Sequence, residues 1–129
     1  MGTYLNPNND NFREFSVTGR YVDKTMLIDA LNTYCIPDSE QKFVCVSRPR
    51  RFGKSIAGDV ISAYYSKGAD SKELFAPYKI SKTKDFETHL NKYNVIAIDL
   101  NAMYAKWFSY TPKTERPQTV IDYLTDYER

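Results

Sequence analysis

Histidine and cysteine are scarce in this chain of 129 residues, and their scarcity excludes two kinds of site. The one histidine is His89, and the two cysteines are Cys35 and Cys45. A structural zinc site uses four ligands at short spacings, which this set does not offer. A lone histidine also gives no basis for a Ser–His–Asp arrangement. We therefore assign no catalytic residue and no structural zinc.

Long apolar runs and a secretion signal are lacking as well. No run approaches the roughly 18–20 apolar residues that a membrane helix needs. The first residues are rich in asparagine and lack the apolar centre of a signal peptide. We predict a cytoplasmic chain with reduced thiols and no membrane contact. The net charge of +2 is too small for bulk binding to a polyanion.

Positive charge is nevertheless concentrated in one stretch. Every charged residue of segment 42–54 is a cation: Lys42, Arg48, Arg50, Arg51 and Lys54. Such a local field favours an anion. Two apolar runs, Lys42–Ser47 and Asn94–Leu100, predict strands that are covered on both faces. Helical spacing of apolar residues predicts a helix over Lys54–Tyr65, and a loop over Arg48–Gly53 joins it to the first strand.

The segment VSRPRRFGKSI, residues 46–56, has the pattern of a phosphate-binding loop. In such a loop successive backbone N–H groups surround phosphate oxygens, the lysine reaches the terminal phosphates, and the next hydroxyl binds Mg²⁺. Gly53, Lys54 and Ser55 match these needs between a predicted strand and a predicted helix. Arg48 stands where the first glycine is usual, and Pro49 has no N–H to donate. The alternative is a basic surface loop that caps a helix.

The remaining chain carries weaker patterns, and we predict one domain over residues 1–129. Segments 1–20 and 103–117 are predicted to be largely irregular, with a strand around Tyr21–Val22. Further helices are predicted from Asp23 or Thr25 to Tyr34, as one turn over Ser71–Phe75, over Asp85–Tyr93 and over Gln118–Tyr127.

Four blocks of sequence resemble the predicted AAA-ATPase-like family of bacteria. They are YVDKT (21–25), FVCVSRPRRFGKS (43–55), AYYSKGADSKELF (63–75) and HLNKYNVIAIDL (89–100). The family's usual phosphate loop itself reads Arg-Pro-Arg-Arg-Phe-Gly-Lys-Ser, so Arg48 agrees with it. The resemblance implies ATP and Mg²⁺ as ligands: Lys54 contacts the β- and γ-phosphates and Ser55 binds the metal. Arg50 and Arg51 add charge that holds phosphate or forms salt bridges.

The resemblance covers the N-terminal half of the family's ATPase domain. The acidic strand that binds Mg²⁺ lies further downstream in the family, and Asp99 is interpreted here as a strand-end structural or capping residue in preference to a magnesium ligand. We therefore expect an ATPase by resemblance that hydrolyses ATP poorly or not at all alone. The implied fold is α/β: a small, incomplete P-loop-type unit with a short, mainly parallel sheet flanked by helices. Because the family's intervening strands are not included, the two predicted strands pair directly, recruit an N-terminal strand or leave open edges.

A second hypothesis follows from those open edges, which invite another chain. The protein would then be a non-catalytic interaction protein. It would be, for example, an inhibitor of a bacterial nucleic-acid defence system carried by a mobile genetic element. Its partner would be a protein or ribonucleoprotein, held at the sheet edges or by the basic segment Arg48–Lys54, or a second copy of the chain. A further possibility is that the chain is a fragment whose function lies in other residues.

Overall fold

The structure is a computed structural model that describes residues 4–36, 40 and 42–110. Its α-helices are α1 (Asp10–Val17), α2 (Met26–Ala30), α3 (Lys54–Tyr65), α4 (Lys72–Phe75), α5 (Phe86–His89) and α6 (Leu100–Tyr110). A π-helical turn, Leu31–Cys35, continues α2, and a 3₁₀ turn covers Lys79–Lys82. None of the helices in the described ranges is long and apolar enough to cross a bilayer.

The chain divides into two compact units, Met1–Ala97 and Ile98–Arg129. The first unit contains α1 to α5 and the predicted phosphate loop. The second unit contains α6, whose first turn is capped by Asp99: its Oδ1 accepts hydrogen bonds from the N–H groups of Asn101 (2.9 Å) and Ala102 (3.1 Å). The prediction of one domain over 1–129 stays a prediction, because the second unit is described only as far as residue 110.

The predicted sheet is wrong: the described residues contain no β-strand, so the α/β class with a short parallel sheet is not supported. Segment 42–47 runs without a backbone hydrogen bond to any described residue. Its apolar side chains, predicted to be buried, are exposed, with Phe43 at 86%. An apolar, β-branched run is suited to a strand in a covered sheet, but a sheet also needs neighbouring strands. The described chain places no such strand beside segment 42–47.

The second apolar run makes only isolated contacts of the strand type. An antiparallel bridge joins Leu5 to Ile96, supported by hydrogen bonds from the Asn6 N–H to the Val95 carbonyl (2.7 Å) and from the Ala97 N–H to the Tyr4 carbonyl (2.9 Å). A parallel bridge joins Ser66 to Tyr93, the residue just before this run. The run therefore recruits N-terminal residues, whereas segment 42–47 stays unpaired within the described chain.

Helix α3 is the centre of the first unit and has the predicted bounds, Lys54–Tyr65. Its C-terminal half is buried in an aromatic core, where the Tyr64 ring lies 5.7 Å from that of Phe75 and 5.9 Å from that of Phe86. Phe75 in turn stacks on Phe12 of α1 at 5.2 Å. Burial of these rings fixes the direction of α3, and so the place where its N-terminus lies.

The C-terminus of α3 is fixed by polar side chains from later in the chain. Asn91 donates from Nδ2 to the carbonyl oxygens of Ala63 and Ser66, each at 3.0 Å. Its own N–H donates to the Tyr64 carbonyl at 2.7 Å. The Ser71 hydroxyl donates to the Ala63 carbonyl at 2.7 Å. These donors satisfy carbonyl groups that the end of a helix leaves unpaired.

Other predicted segments agree with the structure to different degrees. The single turn predicted over Ser71–Phe75 is present as α4, whereas the helix predicted over Asp85–Tyr93 is reduced to Phe86–His89. Helices occupy residues 10–17 and 100–110, inside or overlapping the segments 1–20 and 103–117 that were predicted to be largely irregular. The predicted helix 118–127 lies outside the described residues.

Candidate functional site: the phosphate loop and its cavity

The loop between segment 42–47 and α3 has an alternating backbone. Arg51 has φ +68°, and Gly53 has φ +80° and ψ 26°, in the left-handed region, whereas the intervening Phe52 does not have a positive φ. Left-handed residues beside right-handed ones are typical of loops whose N–H groups form a concave anion-binding site. The loop shares the left-handed residues with such concavities.

The N-terminus of α3 presents donors at the end of this loop. Gly53 is the N-cap residue and has no side chain that could cap the helix. The helix begins with the hydrogen bond from the Ala57 N–H to the Gly53 carbonyl at 2.9 Å. The N–H groups of residues 53–56 have no acceptor among the described residues. An N-terminus of this kind favours negative charge through its free donors and its dipole.

The predicted site residues lie together on this stretch. Arg50, Arg51, Lys54 and Ser55 are exposed, and Gly53 is half-buried. None of the three cationic side chains forms an ion pair with a described carboxylate. The salt-bridge interpretation of Arg50 and Arg51 is therefore not supported within the described chain. The cations remain accessible to a ligand from solution.

Lys24 reaches the loop from a distant part of the sequence. Its Nζ donates a hydrogen bond to the Phe52 carbonyl oxygen at 3.1 Å. The same Nζ lies 4.0 Å from the position that a Cβ on Gly53 would occupy. The structure thus adds a fourth cation to the site, in contact with the peptide that precedes the N-cap.

The backbone on both sides of Lys24 is anchored. The Asp23 carboxylate accepts hydrogen bonds from the N–H (2.9 Å) and hydroxyl (2.6 Å) of Thr25 and from the N–H of Lys79 (2.9 Å). Burial works to raise the pKa of the Asp23 carboxyl, but the hydrogen bonds from Thr25 and Lys79 outweigh it and hold that pKa below its ordinary value. The Thr25 hydroxyl, fully buried, accepts from the Ile80 N–H at 3.2 Å.

A cavity of about 300 Å³ lies against the loop. Most of its wall is apolar, three cationic residues contribute to it, and no carboxylate belongs to its described lining. The lining residues are Phe15, Arg20, Tyr21, Val22, Lys24, Leu27, Ile28, Arg51, Phe52, Gly53, Ile56, Ala57, Val60 and Ile61. The wall is suited to the apolar part of an anion whose charge lies at the loop.

Comparison with known proteins identifies the family of this chain. Residues 9–121 match the model of a family described as predicted AAA-ATPase. The chain belongs to this AAA-ATPase-like family. Neither a curated protein nor a solved structure matches the chain. The resemblance seen in the four sequence blocks is therefore confirmed, and membership is consistent with nucleotide binding.

Among the described residues of this AAA-ATPase-like chain, the Ser55 hydroxyl is the candidate protein ligand for magnesium. The described residues contain no group of three or more His, Cys, Asp or Glu side chains that would hold a metal ion. Mg²⁺ is commonly bound by one or two protein groups together with substrate phosphates and water. The exposed Ser55 at the start of α3 fits that arrangement, in which the metal arrives with the polyphosphate. The ion would neutralise phosphate charge at the loop.

Sequence reasoning missed Lys24 and the cavity in this family member. In the sequence, the block Tyr21–Thr25 stands out only as part of the resemblance. Asp23 next to Lys24 suggests a helix cap, whereas in the structure the Asp23 carboxylate also ties the segment to Lys79. The signal in the sequence was the block Tyr21–Thr25 itself, in which Lys24 follows an acid that can cap a helix. No strand precedes Asp99 among the described residues, so its interpretation as a strand-end residue is wrong, although its side chain does cap a helix, α6.

Proposed function

We propose that this chain binds a nucleoside polyphosphate, of which ATP with Mg²⁺ is the expected example. The phosphates would lie on the N–H groups of residues 53–56, with Lys54, Arg50 and Arg51 around them and Ser55 on the metal. The base and sugar would enter the adjoining cavity. The observation that carries the proposal is the left-handed Gly53 at the N-terminus of α3, whose N–H donors have no described acceptor.

We expect little hydrolysis by these residues alone. Phosphoryl transfer needs groups that orient the attacking water and balance the developing charge. The cavity lining supplies cations and apolar side chains, and its described members include no group that would orient water as a base. Binding without rapid turnover is therefore the function that these residues support best.

Calorimetric titration with a non-hydrolysable ATP analogue and Mg²⁺ tests the proposal. Lys54→Ala should weaken binding at least about tenfold, the loss expected for one charge-assisted contact. Lys67→Ala is a matched control, since it removes an exposed lysine just beyond the other end of α3. Equal affinity of the Lys54→Ala variant and the unaltered protein, or no binding by a folded sample, would contradict the proposal.

A second candidate function is supported by the exposed, unpaired segment 42–47. Phe43, Val44 and Val46 are exposed, and the backbone here has no hydrogen bond to described residues. We propose that this segment accepts a strand from another polypeptide, either a partner or a second copy of the chain. The inhibitor role and a ribonucleoprotein partner at the basic loop remain predictions from the sequence.

Sedimentation velocity over a range of concentrations tests this second candidate for the case of two copies. Dimerisation through segment 42–47 should weaken in Phe43→Asp, because a charge would replace the most exposed apolar ring. Val17→Asp is the control, since Val17 is equally exposed, at 82%, but lies on α1. A chain that stays monomeric at every concentration would contradict dimerisation, and a different polypeptide would then be the partner of segment 42–47.

A further inference from the structure

Lys24 makes a contact across the first unit that local sequence does not require. It precedes α2, whereas its Nζ donates to the carbonyl of Phe52 at 3.1 Å, in the loop before α3. No described carboxylate pairs with this ammonium group, and the neighbouring Asp23 is occupied by Thr25 and Lys79. The ammonium is therefore directed to the loop carbonyl by position and is not shared with an acid.

The acceptor matters because of the peptide to which it belongs. In a planar trans peptide the C=O and the N–H point in opposite directions. A hydrogen bond that holds the Phe52 carbonyl toward Lys24 therefore turns the Gly53 N–H away from Lys24. That N–H is the first of the donors without a described acceptor at the start of α3. Lys24 thus sets the direction of a donor that it does not contact.

Local sterics alone do not set this direction. Glycine adopts positive and negative φ about equally well, so the peptide between Phe52 and Gly53 can rotate at little cost. Among the described residues, the hydrogen bond that reaches this peptide comes from outside the loop, from Lys24 to the Phe52 carbonyl. The backbone of Lys24 is well placed to provide this contact, because Asp23 and Thr25 tie it to Lys79 and Ile80.

We infer that Lys24 is a positioning residue for the anion site: it holds the Phe52–Gly53 peptide so that the Gly53 N–H faces the ligand. The inference rests on the proposed function, since it concerns the same loop. It also differs from it, because Lys54 would contact phosphate directly, whereas Lys24 would act through a peptide plane. Lys24 should therefore affect the ligand-free loop as well as the affinity.

The test compares five purified chains: the unaltered protein, Lys24→Met, Lys24→Arg, Arg20→Met and Lys54→Ala. Arg20→Met is the matched control, since Arg20 also lines the cavity and carries the same charge, but its side chain has no hydrogen bond to the loop. Two quantities are measured for each chain. One is the dissociation constant for the non-hydrolysable ATP analogue with Mg²⁺. The other is the amide resonance of Gly53 in the ligand-free protein.

We expect Lys24→Met to weaken binding about tenfold, because the charge-assisted hydrogen bond from the Gly53 N–H to the ligand phosphate would be lost. The substitution should also shift the amide resonance of Gly53 in the ligand-free protein. Lys24→Arg should restore most of the affinity and the resonance, because guanidinium also donates to a carbonyl. Arg20→Met should leave the Gly53 resonance in place. Thermal unfolding of each variant shows that the chain is folded, and Lys24→Gln replaces Lys24→Met if the latter does not fold.

Three outcomes would overturn the inference. Lys24→Met with unchanged affinity, beside a Lys54→Ala that loses binding, would reject it and leave the proposed function intact. Equal effects of Lys24→Met and Arg20→Met on affinity, with no shift of the Gly53 resonance, would show that only cavity charge matters. No binding by the folded unaltered protein would reject the proposed function and this inference together.

Discussion

At the scale of single residues, the loop stores strain at Arg51. The left-handed region costs a residue with a Cβ roughly 1–2 kcal/mol. Arg51 lies in this region, with φ +68°. Strain of this kind persists only where the surroundings hold it, and it is concentrated at binding sites. Here it lies two residues before the left-handed Gly53, at the start of α3.

Arg51→Gly should therefore stabilise the folded chain, since glycine accepts positive φ without a steric penalty. The gain is limited to about 1 kcal/mol, because glycine also increases the entropy of the unfolded chain. Urea denaturation measures the change. Arg50→Gly is the control, since Arg50 is not in the positive-φ region and the same substitution there should destabilise slightly. A loss of stability in Arg51→Gly would show that the guanidinium contributes more than the strain costs.

At the scale of elements, α3 joins the site to the core. Its N-terminus carries the loop, while Asn91 binds the carbonyl groups at its other end. Asn91 itself has φ +53°, a conformation that asparagine tolerates better than other residues with a Cβ. One residue therefore satisfies both a helix end and a left-handed turn.

Asn91→Ala should lower the free energy of unfolding by about 2–3 kcal/mol, because it loses several partly buried hydrogen bonds and places alanine at positive φ. Asn91→Gly should cost less, since it loses the same side-chain bonds but fits the backbone. The difference between the two urea midpoints measures the backbone contribution. Equal midpoints would mean that the side-chain hydrogen bonds alone account for the stabilisation.

The helices and strands also differ in how well the sequence predicts them. The helix Lys54–Tyr65 could be predicted because its pattern is local: a glycine at the start and apolar residues at helical spacing. The strands could not, since segment 42–47 shows an apolar run whose partners are a property of other parts of a fold. The loop residues Gly53 to Ser55 were predictable from a contiguous motif. Lys24 was not, because its contact with Phe52 depends on how distant segments pack.

At the scale of the whole molecule, two buried tyrosines connect several elements of the first unit by hydrogen bonds. The Tyr64 hydroxyl donates to the Phe86 carbonyl at 2.7 Å and accepts from Asn32 Nδ2 at 3.2 Å, so it joins α3, α5 and the π-helical turn. Tyr65 donates to the Asn32 Oδ1 beside it. Burial raises the pKa of both phenols above the ordinary value, and it is the largest cause for each. The core therefore depends on phenols that stay protonated.

This dependence predicts an alkaline limit to stability. A phenol whose pKa is raised on folding stabilises the native state fully below the unfolded pKa of about 10, and that contribution is lost as pH rises through the folded pKa. Tyr64→Phe should cost about 1–2 kcal/mol at neutral pH, from its lost buried hydrogen bonds. Above about pH 10 its difference from the unaltered protein should shrink, because only tyrosine gains by ionising on unfolding.

Urea denaturation at about pH 7 and about pH 11, on either side of the ordinary phenol pKa, measures this difference. Tyr34→Phe is the control, because Tyr34 is exposed, at 63%, and its hydroxyl should contribute little at either pH. A gap between Tyr64→Phe and the unaltered protein that stays constant with pH would show that Tyr64 ionises equally in the folded and unfolded chains. A gap that narrows would show that the folded chain keeps the Tyr64 phenol protonated at a pH where the unfolded chain ionises it, as expected if burial raises the pKa of this phenol.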